Sequence, residues 1–268
     1  MYLADYHTHC QWSMDSTTPM ADMALAAAEL GMKEICFTDH VEPYESGTDT
    51  YNVYDFPALH REYEQAMAAA GDRIIIRRGV ELGEAPRNYA WSEDALRQLG
   101  ELDFIIGSIH QLGAEFGHVD LLFAASGDRE VCHRQIRDYL ELVLRQAEWG
   151  KFSVLGHLTL PLRYMNEVHH AGVSFDGYEA EVEEIFRKLI EKGCGIEVNT
   201  NRGGDFLPGE KWLRLYRQCG GEIITMGTDA HRTAHVGRGI REAVELLRHC
   251  GFKAGCTYER LQPVFHDL

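Results

Sequence analysis

The stretch YLADYHTHC, residues 2–10, begins as an apolar strand pattern and ends at two histidines, His7 and His9. Alternate residues of an extended chain point to the same side, so the two imidazoles can face one site. A histidine tag is excluded because the pair continues an apolar strand pattern. The stretch therefore predicts a first β-strand that delivers histidines at its C-terminal end.

Six further apolar runs of strand character follow, and amphipathic stretches of helical period lie among them. The strand runs are residues 34–39, 73–82, 104–110, 152–157, 195–200 and 222–229. The helical stretches are residues 18–32, 56–72, 128–150, 178–193, 209–220 and 239–251, and Thr18 is the expected cap of the first. This alternation predicts parallel strands joined by right-handed crossovers, hence an α/β barrel or an open doubly wound sheet.

Composition narrows the class of protein. The 268 residues are 45% hydrophobic, and no linker or low-complexity tract marks a domain boundary. Lys and Arg number 26 against 42 Asp and Glu, so the net charge of −16 disfavours nucleic acid and anionic membranes as partners. Seven cysteines without framework spacing, and no signal-like or membrane-length apolar run, predict a soluble cytoplasmic protein. The long segment 111–127 is a candidate lid.

Most of the predicted strands end at residue types that bind metals. In chain order these residues are His7 and His9, Asp39 and His40, Glu81, His110, His157, then Asn199, then Asp229 and His231. The C-terminal ends of barrel strands meet at one catalytic face. Imidazole and carboxylate groups there suit Zn, Fe or Mn. A single histidine at a strand end is more often structural, but six histidines on one face predict a metal centre. The other eight histidines of the chain are expected at the surface.

The same motifs resemble the PHP (polymerase and histidinol phosphatase) superfamily. The matching motifs, in order, are HTH (7–9), TDH (38–40), GVELG around Glu81, GSIH (107–110), GH (156–157) and GTDAH (227–231). The resemblance implies a distorted (β/α)7 barrel in a single domain, residues 1–268, that holds three divalent transition metals (Zn, Fe or Mn). The contexts of Glu81 and His110 resemble those of histidinol-phosphate phosphatases, which implies hydrolysis of L-histidinol phosphate in histidine biosynthesis.

The resemblance also implies a ligand set for each metal. The first set is His7, His9, Glu81 and Asp229; the second is Glu81 as a bridge with His110 and His157; the third is Asp15, His40 and His231. Asp15 is the weakest member of these sets, because some relatives have histidine there, and a cap next to a helix is its alternative interpretation. Glu81 and Asp229 are therefore catalytic candidates as well as ligands, because clustered metals activate water and neutralise phosphate charge.

Arginines and acids outside the ligand sets are candidates for substrate contacts. Arg163 and Arg202 follow the fifth and sixth strands, and their planar forks suit phosphate oxygens, so we expect them to bind substrate and assist catalysis. Arg87 is a weaker third candidate. Glu42 and Glu115 could meet the amine of the substrate, with solvated surface as the alternative for each.

Four other functions compete with this one. A PHP-type nuclease acting on nucleic-acid ends would use the same metals but should carry a basic groove, which the sequence lacks. A phosphatase for a different small phosphomonoester, or an amidohydrolase-like enzyme, could share the ligands. A non-catalytic PHP module should have lost some ligands, whereas all nine positions here are His, Asp or Glu. A small phosphomonoester therefore remains the expected substrate; the oligomeric state is left open.

Overall fold

The central sheet is built from parallel strands that follow the order of the chain. The computed structural model describes residues 1–42 and 55–268. Its strands are β1 (Ala4–Thr8), β2 (Glu34–Phe37), β3 (His40–Val41), β4 (Ile75–Gly83), β5 (Phe104–Ser108), β6 (Val154–Leu155), β7 (Gly195–Asn199) and β8 (Ile224–Gly227). The sheet order is β1-β2-β4-β5-β6-β7-β8, and the short β3 also pairs with β4. All seven predicted strands are confirmed.

Helices connect these strands. They are α1 (Met20–Glu29), α2 (Phe56–Ala70), α3 (Tyr89–Leu99), α4 (Leu121–Ala124), α5 (Arg129–Trp149), α6 (Leu160–Leu162), α7 (Glu179–Lys192), α8 (Glu210–Gln218) and α9 (Ile240–His249), with a π-helical segment Arg163–Val168 after α6. The six predicted helices are confirmed, whereas α3 and the short helices α4 and α6 were not predicted. The predicted cap at Thr18 is wrong, because Pro19 takes the N-cap position and the Thr18 hydroxyl donates to the carbonyl of His231.

Hydrogen bonds between the first and last strands of the sheet bring the barrel close to closure. The amide of Asp229 donates to the carbonyl of His7 at 2.8 Å, and the amide of His9 donates to the carbonyl of Ala230 at 2.8 Å. The buried carboxylate of Asp5 in β1 accepts from the amide and hydroxyl of Thr228, just after β8. The result is a nearly closed barrel of seven parallel strands, so the C-terminal ends of distant strands meet at one face.

A C-terminal hairpin that was not predicted packs on this barrel. Its strands are β9 (Ala254–Glu259) and β10 (Gln262–Asp267), which pair antiparallel. Tyr258 of β9 joins a buried apolar cluster with Tyr6, Phe104 and Ile106. The hydroxyl of Tyr6 donates to Glu34 at 2.8 Å and accepts from the amide of Tyr258 at 2.9 Å. The hairpin is therefore tied to the barrel by both packing and hydrogen bonds.

None of the helices among the described residues is long and apolar enough to cross a membrane.

Candidate active site

Glu81 in β4 lies at the centre of a group of histidines. Its side chain is buried, and its Oε1 atom accepts a hydrogen bond from the Ser108 hydroxyl at 2.6 Å. The same oxygen lies 2.9 Å from Nε2 of His157 and 3.2 Å from Nε2 of His110. One oxygen of Glu81 therefore faces the histidines that follow β5 and β6.

The other oxygen of Glu81 faces a second group of histidines. Its Oε2 atom lies 3.1 Å from Nε2 of His7, 3.4 Å from Nε2 of His9 and 3.2 Å from Nδ1 of His40. These rings come from the end of β1, the residue after it, and β3. One carboxylate thus separates five imidazoles into two groups, which is the position predicted for a bridging ligand.

Asp229 forms another side of the cluster and meets both predicted arginines. Its Oδ1 atom lies 3.5 Å from Nε2 of His9 and 3.5 Å from Nδ1 of His231. Its Oδ2 atom lies 3.4 Å from Nη1 of Arg163 and 3.2 Å from Nη2 of Arg202. The backbone at Asp229 is left-handed, with φ at 58°, a conformation that Asp adopts more readily than most other residues with a side chain. Arg163 and Arg202 therefore both reach the face of the barrel that carries the histidine cluster.

Asp15 joins His40 and His231 at the outer edge of the cluster. Its carboxylate oxygens lie 3.8 Å from Nε2 of His40 and 2.7 Å from Nε2 of His231. The ring of His9 stacks against both imidazoles, with centroids 4.3 Å away in each case. Asp15 is half exposed, unlike the buried Glu81. The structure therefore also brings the third predicted ligand set together, and Asp15 lies on its solvent-exposed side.

The outer nitrogens of two of these rings are held by protein groups. Ser13 donates its proton to Asp39 at 2.7 Å, so its oxygen accepts from Nδ1 of His9 at 2.9 Å. Nδ1 of His110 lies 2.6 Å from the carboxylate of Glu42. When either ring is neutral it carries one proton, and these contacts favour that proton on Nδ1, which leaves Nε2 as the nitrogen available to a metal. The predicted strand-end residue Asp39 thus supports a histidine through Ser13.

The ionisable groups perturb one another strongly. Burial alone would raise the pKa values of Glu81 and Asp229, but the neighbouring histidines hold both well below the ordinary range. Burial opposes a charge on His110, yet Glu42 and Glu81 raise its pKa well above the ordinary value. Burial and the nearby imidazoles lower the pKa of His9. The centre of the site therefore combines ionised carboxylates with closely packed imidazoles.

The donor set fits divalent metals. Ligand atoms lie within 4.8 Å of one another in four groups, namely His9–His40–His231, His7–His9–Asp229, His7–Glu81–His157 and His40–Glu42–His110. The Nε2 atom of His9 is buried and makes no hydrogen bond among the described residues, although it faces Glu81 and Asp229. A buried polar atom of this kind destabilises the folded protein unless a ligand or another polar group satisfies it. Such clusters of nitrogen and oxygen atoms suit zinc, iron or manganese.

The sequence model of the PHP domain matches residues 5–201. This chain belongs to the PHP domain family. The match covers the segments that supply the cluster from β1 to β7, and the residues around Asp229 and His231 follow it in the chain.

Curated PHP-domain relatives resemble the chain over nearly its whole length. The chain is 28% identical over 256 residues to the probable histidinol-phosphatase of Thermotoga maritima, covering 94% of each protein. It is 27% identical over 262 residues to the histidinol-phosphatase of Lactococcus lactis, covering 96% of this chain and 95% of the relative.

A solved PHP-domain structure shares the fold. The crystal structure of histidinol phosphate phosphatase from Lactococcus lactis, in complex with zinc, L-histidinol and phosphate, superposes with a TM-score of 0.81 at 25% identity. The match covers 98% of both chains. The distorted (β/α)7 barrel is therefore confirmed.

The other three predicted substrate contacts lie in three different environments. The carboxylate of Glu42 is turned inward and contacts His110, as described above. Glu115 is exposed on a 3-10 turn, Ala114–Phe116, in the loop after His110. Arg87 donates to Gln111 at 3.0 Å and lines a separate cavity beside α5, whereas Arg163 and Arg202 face Asp229. The geometry thus favours Arg163 and Arg202 as the phosphate contacts.

Glu197 in β7 is a site residue that the sequence analysis missed. Its Oε1 atom lies 2.8 Å from Nδ1 of His7, on the side of that ring away from Glu81. The predicted strand-end residue Asn199 directs its side-chain amide at the Glu197 carboxylate. A signal was present, because alternate residues of a strand share a face and Glu197 lies two positions before Asn199.

Proposed function

We propose that this protein hydrolyses L-histidinol phosphate to L-histidinol and phosphate in a metal-dependent reaction. The observation that carries the proposal is the cluster of histidines around Glu81 with two arginines beside it. The similarity to relatives named histidinol-phosphatase and probable histidinol-phosphatase, at 27–28% identity over nearly the whole chain, supports the substrate. The Lactococcus structure that shares this fold holds L-histidinol and phosphate.

The proposed cofactors are three divalent transition metals, Zn, Fe or Mn. His7, His9, Glu81 and Asp229 would hold the first metal, and Glu81, His110 and His157 would hold the second. Asp15, His40 and His231 would hold the third. The two oxygens of Glu81 face different groups of rings, which supports its assignment as the bridge. The short contact between Asp15 and His231 supports the third set.

The protein groups have distinct roles in this proposal. Bound divalent metals supply a nucleophilic oxygen at neutral pH and stabilise negative charge on phosphate. Arg163 and Arg202 direct N–H groups at the same face and bind the phosphate oxygens. Glu81 and Asp229 bring the negative charge that keeps the metals in place. The buried walls around Glu81 exclude bulk water and so strengthen these electrostatic interactions.

The amine and imidazole of the substrate need partners outside the metal cluster. Glu115 is the proposed contact for the amine, because its exposed carboxylate lies in the segment 111–127 that follows His110. Glu42 is a second proposed contact, whose carboxylate also holds His110. Binding energy from this remote end of the substrate would support the reaction at phosphorus. The segment 111–127 keeps its proposed role as a lid over this end.

The test compares three substrates with one metal-loaded preparation. We expect kcat/KM for histidinol phosphate to exceed that for p-nitrophenyl phosphate by at least about tenfold, roughly 1.4 kcal/mol of transition-state discrimination. Because p-nitrophenolate is the better leaving group, such a preference must come from binding the amino-alcohol end. Equal rates for the two esters, or faster cleavage of a single-stranded DNA oligonucleotide, would contradict the proposal and favour another PHP-type phosphoesterase.

We further propose that the enzyme is cytoplasmic and that residues 1–268 form one catalytic domain. All seven cysteines are free thiols, and six of them are buried, which suits a reducing compartment.

A further inference from the structure

Glu197 is a buried carboxylate that the three proposed metal sets do not use. It lies in the middle of β7 and is 1% exposed. A carboxylate in such a place is costly unless several donors satisfy it. Its partners therefore indicate why the barrel keeps a charge there.

The donors around Glu197 come from three strand ends. Oε1 lies 2.8 Å from Nδ1 of His7, and Oε2 accepts from the backbone amide of His157 at 3.0 Å. The side-chain amide of Asn199 lies 3.4 Å from Oε1 and 3.3 Å from Oε2. The carboxylate thus connects the residue that ends β7 to proposed ligands of two different metals.

A glycine of the neighbouring strand packs directly against the contact between Glu197 and His7. A Cβ atom at Gly227 in β8 would lie 2.3 Å from Cβ of His7 and 2.4 Å from Oε1 of Glu197. No side chain fits there without displacing the imidazole or the carboxylate. The two groups are therefore held against each other by the neighbouring strand.

We propose that Glu197 is a positioning residue for metal binding, which fixes the tautomer and orientation of His7 and the backbone of His157. The inference rests on the proposed function, since it takes both histidines as metal ligands. An ionised carboxylate can only accept, so Nδ1 of His7 carries the proton. Its Nε2 atom, 3.1 Å from a second carboxylate, Glu81, is then the nitrogen that a bound metal would take in place of a proton. A carboxylate that orients a ligating histidine in this way also raises its basicity.

The first experiment measures zinc affinity of the full-length Glu197→Gln variant by competition with a chelating dye. An amide offers one acceptor oxygen and turns its NH₂ group toward a donor, so it cannot serve both His7 and His157. We expect zinc at the tightest site to bind about ten- to hundredfold more weakly than in the wild type. Glu197→Asp keeps the charge, so it should recover part of the zinc affinity. It also serves as the test if the Gln variant does not fold.

The matched control is Glu34→Gln. Glu34 is also a buried strand carboxylate, but it contacts Tyr6 and Arg77 and none of the proposed ligands. We expect it to lower thermal stability while leaving zinc affinity within about twofold of the wild type. A purely structural role for Glu197 would make the two Gln variants behave alike, with unchanged zinc affinity, and would overturn the proposal.

The second readout is the tautomer of His7, observed by long-range ¹H–¹⁵N NMR of the zinc-loaded protein. We expect the Nδ1–H form in the wild type and a changed signal in Glu197→Gln. If the protein binds zinc but does not hydrolyse histidinol phosphate, only the proposed substrate is overturned. The effect of Glu197→Gln on zinc affinity would still decide the role of Glu197. A wild-type protein that binds no zinc, iron or manganese would overturn both proposals.

Discussion

Glu81 shows how one residue can set the chemistry of the whole site. A buried carboxylate is costly unless it is paired, and here five imidazoles and the Ser108 hydroxyl surround it. Its negative charge makes this crowding of rings tolerable. The same charge attracts cations into a protein interior that otherwise excludes ions.

Replacement of Glu81 by Gln should therefore be severe. The amide removes the charge and directs an NH₂ group toward histidines, so we expect kcat/KM to fall by at least about a hundredfold, with lower metal content. Steady-state kinetics and elemental analysis of the same preparation measure both effects. His118→Gln and His133→Gln are the controls, because His118 lies in a loop and His133, on α5, contacts Tyr178. Near-normal turnover and metal content in the Glu81→Gln enzyme would contradict the bridging assignment.

Arg202 makes a paired contact that lysine cannot copy. Its Nε atom donates to the carbonyl of Asp229 at 3.0 Å, and Nη2 contacts the carboxylate at 3.2 Å. Lysine has one compact ammonium in place of this planar fork. We expect Arg202→Lys to lower kcat/KM for histidinol phosphate about tenfold, which corresponds to roughly 1.4 kcal/mol.

The control for Arg202→Lys is Arg241→Lys, an exposed position on α9 that should keep wild-type kinetics. If both lysine variants hydrolyse histidinol phosphate at the wild-type rate, Arg202 does not bind the phosphate.

At the scale of elements, the hydroxyl of Tyr6 is one of the buried groups that attach the C-terminal hairpin to the barrel. Tyr6→Phe would leave the carboxylate of Glu34 and the amide of Tyr258 without this partner. We expect the free energy of unfolding of the metal-loaded protein to fall by about 1–3 kcal/mol, measured in urea. Turnover of the folded enzyme should stay near normal, because the Tyr6 hydroxyl contacts the hairpin and not the histidine cluster.

Tyr89→Phe is the matched control, since the Tyr89 hydroxyl makes a solvent-exposed bond to the carbonyl of Arg145. Its effect on the free energy of unfolding should stay within about 0.5 kcal/mol. Equal losses in the two variants would show that the buried bond of Tyr6 contributes no more than an exposed one.

At the scale of the whole molecule, metal binding and folding should be coupled. The proposed ligands lie at or just beyond the ends of strands from β1 to β8, so bound metals would connect distant parts of the chain. Ligands that bind only the folded state stabilise it by mass action, by about 4 kcal/mol at a free concentration a thousand times Kd. We expect dialysis against a strong chelator to abolish activity and to lower Tm by about 5–15 °C.

Restoring zinc, manganese or iron to the dialysed protein should recover both Tm and activity, with magnesium as the comparison for a harder cation. Activity and Tm that both survive complete metal removal, verified by elemental analysis, would contradict a metal-dependent hydrolase.

Sequence patterns predicted an α/β barrel or a doubly wound sheet, and they predicted nearly all of the residues that gather at one face, for a physical reason. Parallel strands separated by helices place all their C-terminal ends on one side, so residues that follow each strand converge. His7, Glu81 and Asp229 could thus be assigned to one site although they are far apart in the chain. Helix α3 was missed because only one of its buried residues, Leu99, is strongly apolar, whereas the other two are Ser92 and Ala95.

The hairpin was missed for a different reason. Arg260 and Leu261, between β9 and β10, adopt positive φ angles of 49° and 63°. Two-residue hairpin turns with such angles usually contain Asn or Gly, and β10 is mostly exposed, so neither the turn signal nor the alternation of buried residues is present. Packing of Tyr258 against Tyr6 and Phe104, a tertiary effect, stabilises the hairpin.

The sequence by itself determined the types of ligating residue and the end of the barrel where they gather, because strand period and chain order are local properties. Tertiary structure alone decided which nitrogen of each imidazole faces inward, and which buried group holds the other. Glu197 reaches His7 across 190 positions of the chain, and Ser13 connects His9 to Asp39. Such contacts depend on distances of about 3 Å between strands, which only the closed barrel establishes.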